Sequence, residues 1–181
     1  MTEPRPESEL LQSLPPRVAE GCRVLLLGSM PSVASLGAAN YYAHPRNRFW
    51  PLLGQLLMDT PFGFDPRADY ETRIAALHAA RVGLWDVVGQ CRRRGSLDTD
   101  IETDSIVAND IPGLLRAHPS IRAIGLNGGV ATQLFRRHVQ PQLSADVSAR
   151  LRIHALPSTS PANAGFDFKR LLAAWRVLQT A

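Results

Sequence analysis

The sequence predicts an α/β fold, a three-layer α/β/α arrangement around a central four-stranded parallel sheet. Three observations carry that expectation. Four short apolar runs, at residues 24–27, 82–88, 121–126 and 151–156, are bounded by turn residues and read as buried parallel strands. Segments with helical apolar spacing lie between or after them, at residues 49–58, 70–81, 111–117, 130–139 and 168–178. A strand that must return parallel to its predecessor needs a crossover, and the crossovers lay helices on both faces. The third observation is size: 181 residues with 45% hydrophobic side chains fill one good core and not two.

Taken in order, residues 1–17 carry Pro4, Pro6, Pro15 and Pro16 and read as an N-terminal arm with a short helix over residues 8–14. Residues 18–181 then form a single domain. The first strand runs into Gly28-Ser-Met-Pro-Ser32, the second into residues 89–98, the third into Asn127-Gly-Gly129 and the fourth into Pro157-Ser-Thr-Ser-Pro-Ala-Asn163. In a parallel sheet all four segments leave the same edge, the edge where such sheets bind ligands. Gly28 and Pro31 suit a tight turn, and Pro157 and Pro161 bracket a stiff Ser/Thr loop.

The formal net charge is +4, and its distribution says more than its size. Residues 21–50 carry Arg23, Arg46 and Arg48 with no acid, and residues 121–163 set Arg122, Arg136, Arg137, Arg150 and Arg152 against Asp146 alone. Acids gather instead at residues 59–71 and 98–110, so one positive face, and a nucleic-acid partner, are expected. Cys22 and Cys91 are too few for a four-thiolate zinc or iron–sulfur site. No metal or cofactor is expected. No apolar run approaches the roughly 20 residues needed to span a bilayer, and the proline-rich, acidic start lacks the order of a signal peptide, so a cytoplasmic protein with no membrane partner is expected.

The densest chemistry lies in Tyr41-Tyr-Ala-His-Pro-Arg-Asn-Arg-Phe-Trp50, which sets two phenols, an imidazole, an amide and two guanidinium groups close together. With Gly28-Ser-Met-Pro31 after the first strand and Leu156-Pro-Ser-Thr-Ser-Pro-Ala-Asn163 after the last, the chain resembles the uracil-DNA glycosylase superfamily. His44-Pro-Arg-Asn-Arg-Phe-Trp50 is similar to the mismatch-specific uracil and thymine glycosylases. One position departs from those branches: Met30 stands before the motif proline, where they carry a catalytic Asp or Asn. The combination with Leu84-Trp-Asp86 and Cys91-Arg-Arg-Arg-Gly-Ser-Leu-Asp98 looks instead like the hypoxanthine (deoxyinosine) glycosylase branch, in which the essential amide comes from the His-Pro-Arg-Asn stretch, here Asn47.

The resemblance implies a uracil-DNA glycosylase-like fold, a monomer, and DNA with deaminated or mispaired bases as partner. Such an enzyme flips its target base out of the duplex. Tyr42 is the candidate to stack on it and Phe49 the second. Backbone N–H groups around Ser29 and Met30, after Gly28, are candidates to receive the charge of the departing base. Asn47 is expected to hold the attacking water, or alternatively to cap the helix starting at Phe49. His44 is a candidate for a phosphate or base contact. Asp86, at a strand end, could accept the lactam N–H that hypoxanthine and uracil share, and Asn127 could assist. Arg46, Arg48, Arg92 and Arg93 are candidate phosphate ligands, as are Ser158, Thr159 and Ser160, with Pro161, Ala162 or Asn163 as a small minor-groove wedge. Trp50 and His154 read as structural. Lys169 is the only lysine and lies far from these motifs, so Schiff-base strand cleavage is not expected. Three alternatives stay open at this point: a uracil- or mismatch-preferring enzyme, a damaged-DNA binder that does not cut, and, least supported, a nucleotide-binding α/β protein lacking any phosphate loop.

Overall fold

Successive side chains of a strand point to opposite sides, so a strand that is apolar throughout needs cover on both. The strand β2 (Val24–Gly28) meets this condition in the computed structural model, which describes residues 8–58 and 64–180. Val24 and Leu26 join one core cluster, Leu25 and Leu27 the other, and the three leucines are fully buried. Pro4, Pro6 and Asp59 lie outside the described residues, and so does the start of the arm.

β2 pairs in parallel with β3 (Val82–Asp86) and with β6 (Ala123–Asn127), and β6 pairs in parallel with β7 (Arg152–Leu156). The order β3-β2-β6-β7 gives the predicted four-stranded parallel sheet. On one face α2 (Phe49–Leu56), α3 (Tyr70–Ala79) and α7 (Phe168–Trp175) pack through Leu52, Ile74, Leu171 and Trp175. On the other, α4 (Ile111–Ala117), α5 (Gly129–His138) and α6 (Ala145–Arg150) pack through Ile111, Leu115, Leu134, Phe135 and Val147. Asp69, Asp110 and Asp167 each accept a backbone N–H of the helix that follows, which fixes where α3, α4 and α7 begin. The short helices α1 (Val33–Ala38) and α6 start on Ser32 and Ser144; six residues are too few to show an apolar period.

Three expectations need correction. The run at 82–88 is not one strand: β3 stops at Asp86, and β4 (Val88–Arg93) enters a second, antiparallel sheet of order β1-β4-β5, with β5 at Val107–Ala108. The helix expected over residues 8–14 is the strand β1 (Glu9–Gln12), paired with β4 through Leu11 and Cys91. The open edge of β4 supplies these residues with backbone partners and lets Leu11 reach the core, which decides for a strand. Leu10 points to solvent and Leu11 to the core, the period of a strand. Finally, β7 is not buried. It is an edge strand with Arg152, Ile153 and Ala155 exposed and only Leu156 covered, and its arginine helps keep the edge from pairing elsewhere.

The arm is thus stitched into the domain. Ser13 N–H donates to the Gly89 carbonyl, Arg17 and Leu84 exchange two backbone hydrogen bonds, and the Trp85 indole donates to the Leu14 carbonyl. Removing residues 1–13 is expected to lower the thermal midpoint by roughly 5 °C or more, measured by circular dichroism. An unchanged midpoint would mean that β1 adds nothing to the fold.

Candidate active site

In the order β3-β2-β6-β7 the chain moves outward in both directions from β2 and β6, and a crevice opens beyond their carboxyl ends. A cavity of about 530 Å³ occupies it, a size usual for small-ligand sites. The segments that follow β2, β6 and β7 contribute to its wall through Gly28–Ser32, Asn127 with Gly129, and Pro157–Ser160, joined by Asp86 at the end of β3 and by Ser96–Thr99 after β4 of the antiparallel sheet. Tyr41, Tyr42 and Asn47 enter from the segment between α1 and α2.

Asp86 lines the cavity and is only 3% exposed. Its Oδ2 accepts a hydrogen bond from the Ser13 hydroxyl at 3.2 Å. Its Oδ1 lies against the backbone of Gly28, where a Cβ would sit 2.4 Å away, so only glycine fits there. Burial pushes the Asp86 carboxyl up to about 7; the Ser13 hydrogen bond opposes that rise and the charge of Asp98 adds to it. The Tyr42 hydroxyl would lie 3.3 Å from the same Cβ and is buried without a hydrogen-bond partner among the described residues. Burial, followed by the neighbouring Asp86, raises its pKa. Tyr42 also has a positive φ of 57°, a strained conformation of the sort that gathers at functional sites.

The Tyr42 and Phe49 rings stack on each other, with centroids 3.7 Å apart and planes 13° apart. Phe49 is fully buried and is not part of the cavity wall, so it backs Tyr42 rather than offering its own face. Trp50 is buried too, its indole donating to the Tyr41 carbonyl. Of the two roles expected of Asn47, the structure shows the one at the start of α2. Its Oδ1 accepts the Phe49 N–H at 3.0 Å, which holds the start of α2, and the same side chain borders the cavity with the rest of its hydrogen-bonding capacity free to use. His44 lies outside the wall, its Nδ1 accepting the Arg46 N–H at 3.2 Å.

Several residues expected to touch a ligand also hold the frame: Asn127, Ser158, Thr159, Ser160 and Asn163 belong to the cavity wall, whereas Arg48 and Arg93 lie outside it. The Arg48 guanidinium donates to the carbonyls of Phe166, Ser160 and Asn163, the latter two at 3.1 Å, and its backbone N–H donates to the Thr159 carbonyl. It therefore clamps the loop after β7 and is not a free phosphate ligand. Thr159 is fully buried, exchanging two hydrogen bonds with the Asn127 side chain, each 3.0 Å long. Arg93 is 1% exposed and donates to the Pro31 carbonyl, whereas Arg92, one step along β4, is exposed. Strand alternation decides that difference. Ser158 and Ser160 brace their own loop by accepting the Ser160 and Ala162 N–H groups, and the Asn163 side chain donates to the Ser158 carbonyl. Arg46, Pro161 and Ala162 stay exposed.

Sequence reasoning missed Ser13 and Asp98. Asp98 lines the cavity and accepts a hydrogen bond from the Ser29 hydroxyl at 2.6 Å. Only folding brings it there; no spacing in the sequence relates it to the first strand. His154 lies half-buried within β7, as a structural residue should, and Lys169 is exposed on α7 and away from the cavity wall.

A family model described as "Uracil DNA glycosylase superfamily" matches residues 15–179. The chain is 33% identical over 159 residues to a hypoxanthine DNA glycosylase of Methanosarcina acetivorans, covering 88% of this chain and 92% of that one. It is 36% identical over 118 residues to a hypoxanthine DNA glycosylase of Methanosarcina barkeri, covering 65% and 70%. A solution NMR structure from Methanosarcina acetivorans, described as a candidate uracil DNA glycosylase, superposes with a TM-score of 0.74 at 30% identity, covering 94% of this chain and 99% of that one. No helix among the described residues is long and apolar enough to cross a membrane.

The buried carboxyl of Asp86 makes stability depend on pH. The unfolded chain releases this proton around the ordinary value of 3.8, the folded chain at about 7, so stability falls as pH rises through that window and is level above it. Asp86→Asn is expected to raise the thermal midpoint at pH 8 by roughly 5 °C and to leave it almost unchanged at pH 4. Equal shifts at both pH values, or none, would contradict a buried, proton-holding Asp86.

Proposed function

This chain belongs to the uracil DNA glycosylase superfamily and is a DNA glycosylase of base excision repair, and from that premise we propose that it releases deaminated bases, hypoxanthine first, by hydrolysis without cutting the strand. The observation that carries this reading is the meeting of Asn47, Tyr42 and Asp86 around one cavity at the mouth of the first parallel strand.

A base flipped from the duplex stacks on Tyr42, which Phe49 supports from behind. The lactam N–H of hypoxanthine, which uracil shares, donates to Asp86 in its ionised form, the form that prevails above about pH 7; adenine and cytosine offer an acceptor there and are repelled by that form. As the N-glycosidic bond breaks, the sugar gains positive charge and the base negative charge. Backbone N–H groups at Ser29 and Met30 receive the latter. Asn47, its amide fixed by the bond to Phe49, holds water beneath the anomeric carbon. Outside the cavity, Arg46 and Arg92 are the exposed cations suited to phosphates, and Pro161 with Ala162, the latter at the cavity wall, forms the small wedge. The protein works as a monomer on DNA carrying deaminated or mispaired bases. Lys169, the only lysine, is not part of the wall, so no lysine stands at the cavity to form a Schiff base.

Duplexes with one inosine or one uracil opposite each normal base, treated with the protein and then with alkali, test the reading. Scission after alkali is expected with inosine, and Asn47→Ala is expected to slow base release roughly a hundredfold while DNA affinity changes little. Strand breaks before alkali would contradict hydrolysis without lyase chemistry. Tight binding with no base release from any lesion would favour a protein that recognises damage without cutting.

A further inference from the structure

Hydrolysis at the anomeric carbon needs an acceptor for the proton that the attacking water gives up. An amide oxygen is far too weak a base for this, so Asn47 can orient the water but cannot take its proton. Among the residues of the cavity wall, the groups able to accept a proton near neutral pH are two carboxylates, Asp86 and Asp98. Asp86 is 3% exposed, pressed against Gly28 and bonded to Ser13, and the base-reading role already occupies it. Asp98 is half-buried at the rim, and a single hydrogen bond from the Ser29 hydroxyl holds its Oδ1. Its Oδ2 makes no hydrogen bond among the described residues, and Asp98 lines the same cavity as Asn47.

We propose that Asp98 is the general base of this site, taking the proton from the water that Asn47 orients; the proposal rests on the glycosylase reading above. In the step, the bond between the anomeric carbon and the base nitrogen breaks with its electron pair going to the base. The water oxygen bonds to that carbon, and one water proton passes to Asp98 Oδ2. That proton then moves to solvent or to the departed base anion, which restores the carboxylate and leaves an abasic sugar and free base. Burial raises the proton affinity of Asp98, with the Ser29 hydrogen bond opposing, a direction that favours a base over an inert anion. The Gly95-Ser96-Leu97 turn carries the residue into place, and Ser96 fastens it by accepting the Val33 N–H at 2.9 Å.

Asp98→Asn preserves an oxygen for the Ser29 hydroxyl and removes only the charge. With inosine duplex, it is expected to lower the single-turnover rate roughly a hundredfold or more. Affinity for a duplex bearing the uncleavable 2′-fluoro analogue of deoxyinosine should stay within error of the unchanged chain, and the thermal midpoint should not fall. The rate of the unchanged chain should fall on its acid side, and in the variant the Asp98 contribution to that limb should be lost, leaving only the part set by protonation of Asp86. Wild-type release with an undiminished Asp98→Asn rate overturns the proposal and leaves the glycosylase reading intact, and so does a loss matched by equal losses of affinity and midpoint. No release by the unchanged chain from inosine or uracil overturns both.

Discussion

The site depends on one close approach, the Asp86 carboxylate lying against the backbone of Gly28. Parallel pairing of β2 with β3 sets these two residues opposite each other, so the sheet register itself decides what lies at the cavity wall. A side chain at position 28 would meet the carboxylate, which makes the missing Cβ a geometric necessity there. Burying an acid this deeply is unfavourable unless its oxygens find donors or it keeps its proton. Ser13 supplies one donor, so the N-terminal arm, far away in sequence, is tied to the chemistry.

Around that contact the protein divides its polar groups between frame and site. Arg48, Asn127 and Thr159 spend their hydrogen bonds on holding the loop after β7, and Arg93 spends one on the turn after β2. The Tyr42 hydroxyl, by contrast, is buried with no hydrogen-bond partner among the described residues. Rigid loops let such a group persist unpaired, because the surrounding structure fixes its position whether or not a ligand is present.

The strands of the parallel sheet were legible because strands covered on both faces read as continuous apolar runs, as Leu25, Leu26 and Leu27 do. Asp86, Asn127 and the loop at 157–163 could therefore be assigned to one edge before any coordinates. β1 was not legible, since its two leucines between polar residues suit a short helix equally well and its partner β4 lies some 80 positions on. Arg46 and Arg48 look equivalent in the sequence, yet only Arg48 meets carbonyls of a loop more than a hundred residues away. Asp98 stood within a recognisable motif, but its function depends on contact with Ser29, which only the tertiary fold creates.

The central claim is that an extruded base enters this cavity between Tyr42 and the carboxyl ends of the parallel strands. A crystal structure of the protein with a duplex containing the 2′-fluoro analogue of deoxyinosine tests it most directly. The account predicts the hypoxanthine ring stacked on Tyr42, with its lactam N–H within hydrogen-bond distance of Asp86. A hypoxanthine still paired in the duplex, or seated elsewhere on the surface, would contradict it.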